Sequence, residues 1–287
     1  MTVINLDEIN VVNTEKGLLE QDYILEKYDE GYNSIFQSIK IETYEQLEWL
    51  ISEHKKVYKK KFFIFRGQRN CHWIPISSLE RMLYPNIPFE YIAAEHLENF
   101  RQRARGKIKE QFLLKKSFEP ENIRELWAVG QHMGLKTPLL DWTYSLFVAL
   151  YFAFEEENQD SSFCSVYCLN AIHLDFGRMY VGELFEPISD PYGRLTAQQG
   201  LFTTHNAIPY ITKLVHRNID NKKFNIDTAR KYFIAKELRQ EILDHLDFLG
   251  ITKETIYPDL AGVIMQVNSD LSSTIQHYQN RFANQEK

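Results

Sequence analysis

The chain is short of cysteine, of basic charge and of long apolar runs, and each shortage removes a class of protein. Cys71, Cys164 and Cys168 are odd in number and lack metal-site spacing. Cys164 and Cys168 stand four apart in SSFCSVYCLN, which alternates like a strand, so they share one face and read as core residues. Metal or redox chemistry is the other reading. The longest apolar run, LFVALYFAF at residues 146–154, is far too short to span a bilayer. The opening MTVINLDEIN is acidic and has no signal-peptide core, so a cytoplasmic, reducing compartment with no membrane attachment is expected. A net charge of −6 gives no global attraction to nucleic acid and leaves room only for a local patch. No nucleophilic Ser or Cys sits in an elbow motif, and neither a phosphate loop nor a dinucleotide fingerprint occurs. Internal repeats, low-complexity tracts and obvious linkers are also missing.

What is present suits a folded domain. With 287 residues, 44% of them apolar, the chain can bury a substantial core. Its 19 Phe and 16 Tyr suit a core, and a cleft, built of rings. Residues 1 to about 40 are polar, acidic and weakly periodic, which predicts a loosely defined lead-in. Thr43 and Gln46 fit a capping box for a helix presenting Leu47, Leu50 and Ile51, and the basic run HKKVYKKK suits that helix's C-terminus. FFIF then reads as a strand buried on both faces, stopped by Gly67. Apolar residues from Phe89 to Phe112 recur at three- and four-residue steps, predicting a helix from about 89 to 115 with a cationic outer face.

A further helix is predicted over 122–133, closed by Gly134. Asp141 to Thr143 are read as opening the next helix, with Thr143 or Ser145 as its cap. That helix carries LFVALYFAF, is apolar almost all round and so belongs in the middle of the fold. Strand patterns follow in SFCSVYCL, GLFTTH and KYFIA. KELRQEILDHLDFLGI returns to helix, stopped by Gly250, and YPDLAGVIMQV gives one last short helix. The expected architecture is a single α+β domain over 43–268, between a lead-in (1–42) and a tail (269–287). Its N-terminal half is helical and its C-terminal half strand-rich.

Polar residues crowded against apolar runs are the candidates for function. In FFIFRGQRNCHW, Arg66 ends a buried strand, and a guanidinium there needs a partner. It pairs permanently with a carboxylate such as Asp141, or it grips an anionic ligand bidentately; both readings stand. Gly67 permits close approach, and Gln68 adds a neutral donor and acceptor. In QHMGLKTPLLDWT, His132 is a helix cap or a general acid–base group.

These stretches resemble the FRG domain family, named after the tripeptide present here as Phe65, Arg66 and Gly67. The resemblance runs through FRGQ, a following tryptophan, SSLERM, QHMGLKTPLLDWT with VALYFA, RLTAQQGLFTTH and LDFLGITKETIYPDLAGV, from about residue 43 to 265. The family is described chiefly by this pattern and by its occurrence in bacteria and their phages, which implies a setting in defence or toxicity.

The order of motifs is also similar to that of ADP-ribosyltransferases of the arginine–serine–glutamate type, which implies a split β-sheet core. In those enzymes an arginine in YRG holds the NAD phosphates, and a Ser-Thr-Ser strand precedes a VAxxFA helix. Thr143 stands six residues ahead of Ala149 at the matching place. A glutamate there binds the nicotinamide ribose, whereas this chain has Gln198 and Gln199 in AQQGLFT. A carboxamide lacks the charge that stabilises a developing ribosyl cation. Asp141, Glu183 or Glu186 would have to restore it.

The resemblance therefore implies an NAD- or nucleotide-binding domain that transfers or hydrolyses ADP-ribose onto a protein or nucleic-acid target. In it Arg66, Thr143, Asp141 and Gln199 are the catalytic candidates. Arg66, Gly67, Gln68, Gln131, His132, Thr137, Trp142 and Gln198 are the binding candidates, with Trp142 or Tyr144 stacking on a ring. Two alternatives are a non-catalytic module using the same cleft for a nucleotide, a nucleic-acid end or a modified protein, and a hydrolase or nuclease built on His132, Asp141 and His205, with or without a metal.

Overall fold

The computed structural model describes residues 23–27, 33–56, 63–83, 88–116, 119–157, 160–171, 184–204 and 229–283. Two strands, β1 (Tyr23–Lys27) and β2 (Asn33–Ile41), occupy the stretch read as a lead-in. Ile39 and Ile41 are buried, and β2 pairs in parallel with a strand almost 200 residues away, Gln37 opposite Arg230. Local polarity hides a strand whose stability comes from such a distant neighbour. The expected capping box is present. The Gln46 amide donates to Thr43 Oγ1 while Gln46 Oε1 accepts from the amides of Thr43 and Glu42, and helix α1 (Tyr44–Lys55) begins there.

Strand β3 (Phe63–Gln68) runs through Gly67 and does not stop at it. The glycine serves packing: a Cβ there would fall 1.9 Å from Ala149 O and 2.9 Å from Ala153 N, both on the central helix. Helix α2 (Glu80–Leu83) is a single turn, and α3 (Phe89–Arg103) ends well short of residue 115. Gly106, at φ 70°, lies in the turn that follows, and the apolar pattern continues only as a 3₁₀ turn at Gln111–Leu114. Helix α4 (Pro120–His132) ends two residues before Gly134, whose φ is +87°.

Asp141 to Thr143 do not open a helix; they lie in strand β4 (Leu140–Thr143). Ser145 caps α5 (Leu146–Phe154) by accepting from the Val148 amide. Strand β5 (Phe163–Asn170) follows, then β6 (Leu184–Phe185), α6 (Arg194–Gln198), β7 (Gly200–Thr203) and β8 (Ala229–Ala235). Helices α7 (Arg239–Phe248), α8 (Lys253–Ile256) and α9 (Leu260–Ala283) complete the chain. The last is 24 residues long, where a short helix and a tail were expected.

The eight strands among the described residues form one mixed sheet, in the order β1-β2-β8-β5-β3-β4-β7-β6. They come from both halves of the chain, so helices and strands are not divided between halves as predicted, although the α+β class holds. One face carries α1, α5 and α7 over a core of Leu47, Phe65, Ala149, Val166, Tyr232 and Ile242. Cys164 and Cys168 lie buried in this same layer. The other face carries Ile64, Leu140, Trp142, Tyr167 and Leu201. A third cluster joins Leu97, Trp127, Leu195 and Phe202 beside the first layer. Among the described residues, no helix is long and apolar enough to cross a membrane.

Candidate functional site

The sheet parts at its centre. Strands β3 and β5 keep register for six residue pairs, from Phe63↔Asn170 to Gln68↔Ser165, but β3 and β4 share only Phe65↔Thr143. Past that pair β3 and β4 no longer hydrogen-bond as strands. Arg66 bridges the gap, its Nη1 donating to Asp141 O at 2.7 Å and lying 3.6 Å from Asp141 Oδ2. The guanidinium thus holds a carbonyl left without a ladder partner, the cost of which would otherwise be about 1–3 kcal/mol. Its side chain is 17% exposed, while that of Asp141 is 63% exposed. Burial disfavours the charged form of Arg66, and the Asp141 carboxylate opposes that effect.

Four of the sequence-predicted residues belong to one hydrogen-bonded chain. Thr137 Oγ1 donates to Gln131 Oε1, Gln131 Nε2 donates to Asp141 Oδ1 at 2.6 Å, and Asp141 receives Arg66. The helix end at α4, the loop before β4 and the end of β3 are tied together by it. Thr137 is itself fixed by Ser78, whose Oγ accepts the Thr137 amide at 3.0 Å. His132 stands next to Gln131 with its Nδ1 buried and unbonded. Burial lowers its pKa, against the raising effect of the Asp190 and Asp141 carboxylates.

Thr143 and Trp142 are placed differently. Opposite Phe65, Thr143 faces the α5 side of the sheet, and alternation turns Arg66 to the other side. The Thr143 hydroxyl is buried, donating to Gln198 O at 2.6 Å and accepting from the Ser145 amide at 3.0 Å. Trp142 is 3% exposed and its indole N–H donates to Thr203 Oγ1, so it offers no open ring. Tyr144 gives its hydroxyl to Glu186 at 2.5 Å. Gln198 donates its carboxamide to Ile256 O. Gln199 is exposed at φ 47°, ψ 44°, the single non-glycine residue with positive φ among those described, and its carbonyl accepts from the Tyr144 amide. Glu183 and His205 lie outside the described residues.

On the face to which Arg66 turns, three side-chain atoms are buried with no hydrogen-bond partner: Arg66 Nε, Gln68 Oε1 and Ser165 Oγ. Gln68 and Ser165 are register partners, and Arg66 stands opposite Tyr167, which stands opposite Lys231. Lys231 is completely buried, its Nζ donating to Cys71 O at 2.9 Å and lying 4.8 Å from the ring centre of Tyr167. The loop after β3 crosses this face, its Trp73 carbonyl accepting from the Tyr167 hydroxyl at 3.4 Å. Sequence reasoning missed Ser165, Tyr167 and Lys231. The polar positions inside two otherwise apolar strands, SVY and RKYF, are the signal that marks them. Among the described residues no group of three His, Cys, Asp or Glu could hold a metal ion.

No curated protein and no solved structure matches the chain. The family model of the FRG domain matches residues 61–162, from the start of β3 to just beyond α5. That span contains Arg66, Gln68, Gln131, Thr137 and Asp141, and the parting strands around which they gather. The stretch that matches the FRG domain model thus holds the tripeptide Phe65-Arg66-Gly67, whose arginine is the residue that closes the gap in the sheet.

Proposed function

We propose that the FRG domain binds a phosphorylated nucleoside, with NAD the first candidate, at the face of the sheet where Arg66, Gln68 and Ser165 meet. One observation carries this reading: those three residues hold buried polar atoms without partners, side by side. Each such atom costs on the order of 1–3 kcal/mol, and native proteins keep few of them, so three in adjacent positions point to a ligand that satisfies them. Arg66 belongs to the tripeptide after which the domain is named, and Gln68 follows it directly.

The chemistry of the group selects the ligand class. A guanidinium held at one edge by Asp141 keeps its Nε edge for an anion, and phosphate suits a fork of parallel N–H donors. Gln68 and Ser165 supply the neutral donor and acceptor that a ribose hydroxyl needs. Lys231, two strands from Arg66, adds positive charge to the same face.

Turnover by transfer or hydrolysis of ADP-ribose requires negative charge near the ribose. Asp141 is the carboxylate best placed for it, beside Arg66 and open to solvent. The carboxamides of Gln198 and Gln199, where the similar transferases carry a glutamate, favour the second reading, a module that binds without turnover. Calorimetric titration with NAD, ADP-ribose and ADP, with chromatographic detection of nicotinamide and Arg66→Ala as control, separates these readings. Binding that is lost in Arg66→Ala supports the site. Nicotinamide release then assigns turnover, and its absence assigns the binding module. No binding of any of the three at millimolar concentration overturns the proposal.

A further inference from the structure

The longest helix carries an apolar stripe that stays open to solvent. Leu260, Ile264, Val267, Leu271, Ile275, Tyr278 and Phe282 follow one another along α9 at steps of 4, 3, 4, 4, 3 and 4 residues. At about 100° per residue they fall within roughly 80° of arc. All seven are 48–73% exposed. The opposite side of its first two turns meets the domain: a Cβ on Gly262 would lie 1.8 Å from Tyr257 O, and Gln266 Oε1 accepts from the Lys253 amide. The helix is thus fastened at its start, and its apolar stripe faces away from that contact.

Local propensity does not sustain such a helix. Its middle reads NSDLSST, almost all weak helix formers, so the apolar stripe has to be covered for the helix to be stable. The spacing repeats every 11 residues, Leu260, Leu271 and Phe282 being equivalent, which is close to the natural helical period. The stripe therefore runs straight along one side. It also reads the same in both directions about Leu271, which sets Leu260 against Phe282, Ile264 against Tyr278 and Val267 against Ile275. A patch with that symmetry complements itself, as a two-fold contact requires. The only Asp, Glu, Lys or Arg residues in the helix are Asp270 and Arg281, and neither lies on the stripe.

We propose that α9 is a dimerisation helix, on which a second copy of this chain lays its own α9 antiparallel, with the two-fold axis at Leu271. Seven half-exposed apolar side chains from each copy remove on the order of 1,000 Å² from water, at the lower edge of what a specific interface needs, about 1,000 Å². The contact lies on the side of α9 opposite to Gly262 and Gln266 and is independent of nucleotide binding.

Light scattering on the purified full chain is expected to give twice the 34.0 kDa of one chain. Leu271→Asp is expected to halve that mass and to lower far-UV helicity. Leu271→Cys, kept close to the wild-type packing, is expected to form a disulfide-linked dimer under mild oxidation, because Cys71, Cys164 and Cys168 are buried. Ile264→Cys is expected not to cross-link to itself, since its neighbour across the axis is Tyr278. A wild-type monomer up to about 100 μM, a dimer that survives Leu271→Asp, or self-cross-linking by Ile264→Cys and not by Leu271→Cys overturns the proposal.

Discussion

Arg66 gives one edge of its guanidinium to the main-chain oxygen of Asp141, at 2.7 Å, where β3 and β4 have ceased to pair. The permanent-partner reading of this arginine is met at Nη1, and the proposed clamp would use the other edge of the same side chain. Nη1 is committed to the protein, while Nε is buried and unbonded. A residue that holds two strands at their point of separation is also rigidly placed, which is what a clamp requires.

The two roles respond differently to substitution. Arg66→Ala leaves Asp141 O without its donor and is expected to lower unfolding stability by about 1–3 kcal/mol. Arg66→Lys keeps the charge but loses the planar fork, so it is expected to recover part of that stability and little of the nucleotide affinity. Urea unfolding alongside calorimetric titration of the two variants checks this. Equal loss of stability in both variants would mean that the fork, not the charge, holds the strands.

Gly67 tests the packing beneath the arginine. Any side chain there meets Ala149 O at 1.9 Å, backbone that can yield only if α5 moves off the sheet. Gly67→Ala is expected to cost more than about 3 kcal/mol, beyond ordinary overpacking, because a central helix has to shift. Thermal unfolding of soluble protein measures it. A drop in melting temperature of less than about 3 °C would show that the helix yields easily.

Much of this was legible in the sequence, for reasons that differ by element. Thr43 and Gln46, the apolar α5, and the glycines 134 and 250 act through neighbours three or four residues away, so local pattern revealed them. β2 was missed because its partner β8 is far along the chain, and β4 was misread as a helix start because Asp-Trp-Thr also suits a cap. α9 was cut short because its Ser-Ser-Thr centre is a poor helix former whose apolar stripe is spaced for another surface. At the site, Arg66, Asp141, Gln131 and Thr137 were named and do join. Ser165 and Lys231 were not, because only strand register brings them beside the motif.

His54 sets part of the acid sensitivity. It is buried on α1, edge-on to Phe65, with Nε2 3.1 Å from the Tyr232 hydroxyl, and burial lowers its pKa to about 3. It stays neutral in the folded chain, while in the unfolded chain it titrates near the ordinary histidine value of 6.5. Below that pH the unfolded state binds a proton that the folded state refuses, so stability falls with pH from about 6.5 towards 3. The slope from this one group is at most about 1.4 kcal/mol per pH unit. His54→Gln is expected to flatten that limb. Unfolding free energies of both proteins between pH 5 and 7 give the comparison, and parallel curves would remove His54 as the cause.

Gln199 is held in a left-handed conformation that glycine adopts without strain. That strain is a local cost carried by the turn between α6 and β7. Gln199→Gly is expected to raise stability by about 0.5–1 kcal/mol by relieving the backbone at the end of α6. It is also expected to leave nucleotide affinity unchanged, because Thr143, bonded to the neighbouring Gln198 carbonyl, faces the side of the sheet opposite to Arg66. Urea unfolding and calorimetric titration of the variant check both. A variant less stable than the wild type would show that the carboxamide gives the turn more than its backbone strain costs.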